Sequence, residues 1–209
     1  MSPQGNRWYW FVVFLVRQIY LRLLTGGMKV VGLENVPREG PVILAPIHVS
    51  NFDPPVVSCA SPRAVNFMAK EELFSPKWMG KLITSLGAFP VKRGAGDTSA
   101  VKIAIERLQE GCTLILFPEG TRGEPEQTSR LKKGIYHLVK DRMDTKITPV
   151  VTHGLGRTLP RGEALFVPFN CDVVIGDKLP HTDSSNELLG LLSANFKNLL
   201  KDCLTYNQV

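Results

Sequence analysis

The chain has 209 residues, 44% of them hydrophobic, and a formal net charge of +6 with a sequence pI near 9.2. That length supports one sizeable core and one domain, and that hydrophobic share excludes a disordered chain. The positive balance favours anionic partners, whether phospholipid surfaces, nucleotide-like cofactors, acidic carrier proteins or nucleic acid, without choosing among them.

Trp8 to Leu24 is rich in aromatic and aliphatic residues, but its uncharged core, Trp8 to Val16, is short. A bilayer span takes about 20 apolar residues, and a signal peptide carries small residues where Arg17 and Gln18 stand. On a helical wheel Arg7, Arg17, Gln18 and Arg22 share one arc, and Trp8, Val12, Leu15, Val16, Ile19 and Leu23 lie opposite. The pattern predicts an amphipathic helix within residues 1–27 that lies in a membrane surface, arginines toward the lipid phosphates. A helix packed on the domain in the ordinary way is the competing reading.

Gly26-Gly27 closes this helix, and residues 28–209 read as one α/β domain. Met28 to Gly32 reads as a strand. Pro41 to Ile47 is a continuous apolar strand of the buried type. Asp53-Pro54-Pro55 looks like a helix start. Ala64 to Ala69 is a short strand, Pro76 to Leu86 a helix and Ala88 to Val91 a strand. Asp97 to Glu110 carries Val101, Ala104, Ile105 and Leu108 at helical spacing, and Gly111 closes it. Cys112 to Phe117 is a buried strand, Leu131 to Met143 a helix and Ile147 to Thr152 a strand. Ala164 to Val167 and Cys171 to Ile175 read as an antiparallel pair. Ser185 to Leu204 is a terminal helix with a stripe at Leu189, Leu192, Phe196, Leu199 and Cys203. Strands alternating with helices argue a single-domain α/β sandwich whose central sheet is largely parallel but mixed, flanked by helices.

The four cysteines, Cys59, Cys112, Cys171 and Cys203, form no C-x-x-C pair, which argues against a zinc site or a disulfide framework. Reduced, buried thiols in a cytosol-facing protein are expected.

Three segments follow predicted strands and carry polar chemistry. His48 comes directly after the first buried strand, at the sheet edge where α/β proteins bind ligands. Asp53 stands five residues on. If a helix starts there, its carboxylate can reach back to one imidazole nitrogen, set the tautomer and stabilise the imidazolium. The other nitrogen can then act as a general base. A plain helix cap is the alternative for Asp53. Lys92 and Arg93, followed by Gly94, suit a phosphate, with a solvated pair as the alternative. In Phe117-Pro118-Glu119-Gly120-Thr121-Arg122, Pro118 stops sheet pairing and Gly120 permits a sharp turn, which sets Glu119 and Arg122 on a short loop.

In this order and spacing the segments resemble the glycerolipid acyltransferase family, best known for its 1-acylglycerol-3-phosphate (lysophosphatidate) acyltransferases. The first motif, H-x-x-x-x-D, is matched by His48 and Asp53. The second, a strand ending in arginine, is matched at Phe89 to Arg93. The third, F-P-E-G-T-R, is matched in full from Phe117 to Arg122, and the fourth, an apolar strand with proline, at Ile147 to Val151. Ile47 and Gly123 depart from the asparagine and serine often found there.

The resemblance implies acyl transfer from a thioester to a glycerolipid hydroxyl. His48 would be the base and Asp53 its orienter. Arg93, with Lys92, would bind the acceptor phosphate. Glu119, Gly120 and Thr121 would help form the acceptor site, and Arg122 would be a second anion contact. The implied partners are a membrane phospholipid surface, lysophosphatidate, and acyl-CoA or acyl carrier protein as donor. No cofactor, metal or nucleic acid is implied, and the expected location is the cytoplasmic face of a membrane. Three other readings compete. One keeps the chemistry but takes glycerol-3-phosphate, a lysophospholipid or a lyso-aminolipid as acceptor; another is a non-catalytic lipid- or nucleic-acid-binding module; the third is a hydrolase. Intact His48 and Asp53, and the lack of any recognisable nucleic-acid motif, weigh against the binding module. His137, His153 and His181 read as structural or surface residues. A crevice role stays open only for His153, which follows the strand of the fourth motif.

Overall fold

The structure is a computed structural model that describes residues 6–15, 18, 28–50, 53–92, 98–120, 130–154 and 170–204. Seven strands form one sheet: β1 Met28–Val31, β2 Val42–Pro46, β3 Val65–Lys70, β4 Ala88–Val91, β5 Thr113–Ile115, β6 Lys146–His153 and β7 Cys171–Ile175, in the order β1-β7-β6-β2-β5-β3-β4. Every neighbouring pair is parallel except β6 with β7. The described helices are α1 Arg7–Leu15, α2 Asp53–Ala60, α3 Lys77–Ser85, α4 Thr98–Gln109, α5 Gly134–Val139 and α6 Ser185–Lys201.

The sheet is the mixed, largely parallel one expected. β2 runs through its middle with all five residues buried, which is why it reads as an unbroken apolar run. Burying Ile43 and Leu44, both fully inaccessible, stabilises the fold by about 1.5–3 kcal/mol each. Pro90 sits on β4 at the sheet edge, where its missing N–H breaks no ladder. β7 takes its antiparallel neighbour from β6, with Val150 opposite Ile175 and His153 opposite Asp172, and β1 occupies its other side. The expected antiparallel pair therefore gives way to the β6–β7 pair; residues 164–167 lie outside the described residues.

Packing turned two predicted helix faces slightly. α4 buries Ala100, Ala104 and Leu108 and leaves Val101 44% exposed. α6 buries Leu188, Leu192, Phe196 and Leu200, with Leu189 and Leu199 at the margin. α4 packs on β4 and β5, and α6 on β6 and β7. All four cysteines are free and buried, as expected.

α1 begins at Asn6, whose side-chain oxygen accepts the Trp8 N–H at 3.0 Å. The helix rests against α2. Tyr9 is the residue it buries, and the Tyr9 hydroxyl accepts the Val65 N–H at 3.0 Å at the start of β3. Trp8, expected on the face turned to the membrane, is 51% exposed, and Phe11 and Phe14 are also about half exposed. Val16, Arg17, Ile19, Arg22 and Leu23 lie outside the described residues. No described helix is long and apolar enough to cross a membrane.

At the opposite edge of the sheet from His48, Arg63 is buried and ties its own loop to two others. Its guanidinium donates to the carbonyls of Pro37, Gly40 and Gly111 at 3.0, 2.9 and 2.7 Å.

Candidate active site

β2 delivers His48. The Ile47 N–H still bonds the Val150 carbonyl of β6 at 3.2 Å, so the chain leaves the sheet one residue later. Ile47 is 1% exposed, and the asparagine frequent at this position in the resembling family is replaced here by a core side chain. His48 Nδ1 lies 2.9 Å from Asp53 Oδ2, with Asp53 fully buried and the histidine 19% exposed.

Asp53 opens α2, yet its carboxylate points back along the chain. Besides the imidazole, Oδ2 accepts the Val49 and Ser50 N–H groups, each at 2.8 Å. Thr152 on β6 donates its hydroxyl to Oδ1 at 3.1 Å. The helix-cap reading is thereby displaced, because the donors precede Asp53 rather than follow it. Since the carboxylate only accepts, Nδ1 carries the hydrogen, and Nε2 keeps the lone pair needed by a base.

β5, beside β2, delivers the third motif. Phe117 lays its ring on the His48 ring at 4.1 Å between centroids and 31° between planes, which restricts rotation of the imidazole. Glu119 is 2% exposed and its Oε2 accepts the His48 backbone N–H at 2.9 Å. The turn that places it closes through the Gly120 N–H to the Phe117 carbonyl at 3.0 Å. Gly120 has φ of 68°, a left-handed conformation strained for any residue with a Cβ, and an added Cβ would stand 2.9 Å from Lys132 Nζ.

The structure thus brings His48, Asp53, Glu119 and Gly120 together. Lys92 is not part of that cluster: β4 lies at the sheet edge, with β5 and β3 between it and β2, and Lys92 Nζ is 4.0 Å from Glu71 Oε1. Arg93, Thr121 and Arg122 lie outside the described residues. His137 is exposed, and His181 is 3.8 Å from Asp183 at the surface, as expected of surface histidines. His153 is buried at the end of β6.

Residues 27–153 match the family model described as Acyltransferase. The chain belongs to the acyltransferase family. It is 29% identical over 184 residues to the 1-acyl-sn-glycerol-3-phosphate acyltransferase of Bacillus subtilis, covering 86% of this chain and 89% of that protein. A shorter stretch of 86 residues is 33% identical to the lyso-ornithine lipid O-acyltransferase of Pseudomonas aeruginosa, 41% of this chain and 32% of that one. The fold matches the crystal structure of the 1-acyl-sn-glycerophosphate acyltransferase from Thermotoga maritima with a TM-score of 0.73 at 23% identity, over 94% of this chain and 88% of that one.

For an acyltransferase the arrangement is coherent. A buried carboxylate holds an imidazole in one tautomer, a phenyl ring and a second carboxylate hold its plane and its backbone, and one ring nitrogen is left for the substrate. Two supports escaped the sequence reading. Thr152 had a weak signal, a hydroxyl inside an otherwise apolar strand. Glu119 was singled out for the acceptor site, but nothing in the spacing tied it to the His48 backbone.

Proposed function

We propose that this acyltransferase moves a fatty acyl group from an acyl thioester to the free hydroxyl of 1-acylglycerol-3-phosphate, forming phosphatidate. The observation that carries the reading is the Asp53 carboxylate, buried and holding His48 by its Nδ1 while leaving Nε2 for an acceptor hydroxyl. The names of the relatives support the acceptor.

His48 Nε2 takes the hydroxyl proton as the oxygen attacks the thioester carbonyl. The imidazolium is stabilised by Asp53. The tetrahedral intermediate collapses by breaking the carbon–sulfur bond, and the proton on Nε2 passes to the departing thiolate. The acceptor is itself the nucleophile, so the step as written forms no acyl-enzyme and uses no cofactor. Arg93, with Lys92, binds the acceptor phosphate, Arg122 makes a second anion contact, and Gly120 and Thr121 complete the acceptor site.

The reaction takes place at the cytoplasmic face of a membrane, with residues 1–27 as the lipid-contacting segment. The exposed Trp8, Trp10, Phe11 and Phe14 support this, because aromatic side chains favour the headgroup region. Leu73 and Trp78, 49% and 68% exposed where the chain leaves β3 and enters α3, support a second contact.

The similarity to a lyso-ornithine lipid O-acyltransferase favours one second reading, the same chemistry on a lyso-aminolipid. Coenzyme A release from palmitoyl- or oleoyl-coenzyme A in mixed micelles, with acceptors offered singly, separates the two. Release that requires lysophosphatidate and vanishes in His48→Ala is expected. Release only with a lyso-aminolipid transfers the reading to that acceptor, and unchanged release in His48→Ala overturns the mechanism.

A further inference from the structure

Beside Glu119 opens a cleft of about 770 Å³ lined by Glu119, Arg130, Leu131, Lys132, Lys133 and, from α6, Asn186 and Leu189. Its size falls in the range of small-molecule sites, about 300–1,000 Å³. Three cations stand in its wall against one carboxylate, and Oε2 of that carboxylate already accepts the His48 N–H. None of the three cations makes an ion pair among the described residues. Like charges converging on one concavity repel each other, and an anion placed among them relieves the repulsion.

The basic run is also strapped to the third motif. The Lys132 N–H donates to the Pro118 carbonyl at 2.8 Å, and the Lys132 side chain lies over Gly120. The cleft is therefore one hydrogen bond away from the base, through Glu119, yet Lys92 of the second motif is not in its wall.

We propose that this cleft binds the phosphates of the acyl donor, a thioester of coenzyme A type with a 3′-phosphate and a pyrophosphate. The assignment rests on the acyl-transfer reading. A glycerol phosphate headgroup offers one phosphate group, whereas the donor nucleotide offers a 3′-phosphate and a pyrophosphate, enough separate anionic groups for each of the three cations to meet one. Leu131 and Leu189 offer an apolar wall for the parts between the phosphates. The long pantetheine arm separates the reacting sulfur from those phosphates, so the cleft has only to open beside His48, not onto it.

The test measures binding of coenzyme A to the full chain by calorimetric titration without any acceptor, for the wild type and for Arg130→Gln, Lys132→Gln and Lys133→Gln. All three side chains are exposed, so the variants are expected to fold, and circular dichroism checks this. Each substitution is expected to weaken coenzyme A binding about tenfold, the size of one charge-assisted hydrogen bond. Adenosine 3′,5′-bisphosphate is expected to compete in the wild type, and pantetheine is not. In turnover, KM for palmitoyl-coenzyme A rises by the same factor, with kcat and the acceptor KM unchanged. Unchanged coenzyme A binding in all three variants overturns the proposal. A rise in the acceptor KM instead overturns it by placing the acceptor phosphate in the cleft. Turnover with acyl carrier protein by a wild type that does not bind coenzyme A overturns it as well. Failure of the acyl-transfer reading looks different: the wild type turns over no acceptor, while the binding comparison still reports on the cleft.

Discussion

Replacing Asp53 by asparagine separates the charge behind His48 from the geometry it holds. In the wild type Oδ2 is 2.9 Å from Nδ1, the carboxylate is fully buried and the imidazole keeps 19% of its surface. A unit charge pair near 4 Å at an effective dielectric constant of about 20 is worth about 4 kcal/mol. The partial exposure of His48 brings this to about 2–4 kcal/mol. In the proposed mechanism the imidazolium is formed by transfer of the hydroxyl proton to Nε2, so the loss is expected on kcat. At about 1.4 kcal/mol per decade it amounts to roughly 30- to 1,000-fold. The amide oxygen of the substituted side chain can still accept the Val49 and Ser50 N–H groups, so the loop is expected to survive and Tm to stay within a few degrees. Asp53→Ala removes that acceptor as well and leaves two buried N–H groups unpaired, at about 1–3 kcal/mol each, so Tm falls too. The assay is coenzyme A release at saturating acceptor and donor, beside thermal unfolding of both variants. An Asp53→Asn variant with wild-type kcat, or one that loses only KM, refutes the reasoning.

The neighbouring supports yield further expectations. Glu119→Ala removes the acceptor of the His48 N–H, lowering kcat about 10- to 100-fold, and Glu119→Gln, which keeps an acceptor oxygen, recovers most of it; equal loss in both variants refutes a positioning role. Arg63→Ala strips three carbonyls of their donor at the edge of the sheet away from His48 and is expected to cost about 2–4 kcal/mol with kcat unchanged, read by urea denaturation. Burial pushes the Tyr9 hydroxyl and the Cys203 thiol up to about 12 and raises the Cys171 thiol as well. The folded chain therefore keeps protons that the unfolded chain releases from about pH 9 upward, and stability present below that pH is lost as it rises toward 12. Tm should fall across that window, less steeply above pH 10 in Tyr9→Phe, and a flat profile refutes the assignment. Replacing the exposed Trp8, Phe11 and Phe14 by serine should reduce co-flotation with anionic phospholipid vesicles at least tenfold while Tyr9 keeps α1 docked; undiminished flotation removes α1 from the lipid contact.

Much of the fold was legible because its signals are local. β2 is an unbroken apolar run since neighbours cover both its faces, and β4 and β7 match their expected bounds. Helix faces were less legible. α1 is apolar nearly all round, so no periodicity singled out Tyr9, and only the meeting of its hydroxyl with the Val65 N–H decided which side turned inward. The antiparallel place of β7 beside β6 was equally out of reach, because ladder partners depend on which edges other strands leave open.

The sequence by itself determined the pairing of His48 with Asp53. Four residues separate His48 from Asp53, a strand ends just before one and a helix begins at the other, and so short a segment admits few ways for their side chains to meet. Tertiary structure decided what makes the pair rigid and what surrounds it. Thr152 and Glu119 reach the first motif from 99 and 71 residues away, and the basic cleft exists only where α6 closes over the Arg130–Lys133 run. Spacing carries the geometry of neighbours along the chain. Contacts across such separations are set by strand order and helix packing, and those follow from the burial of the whole core.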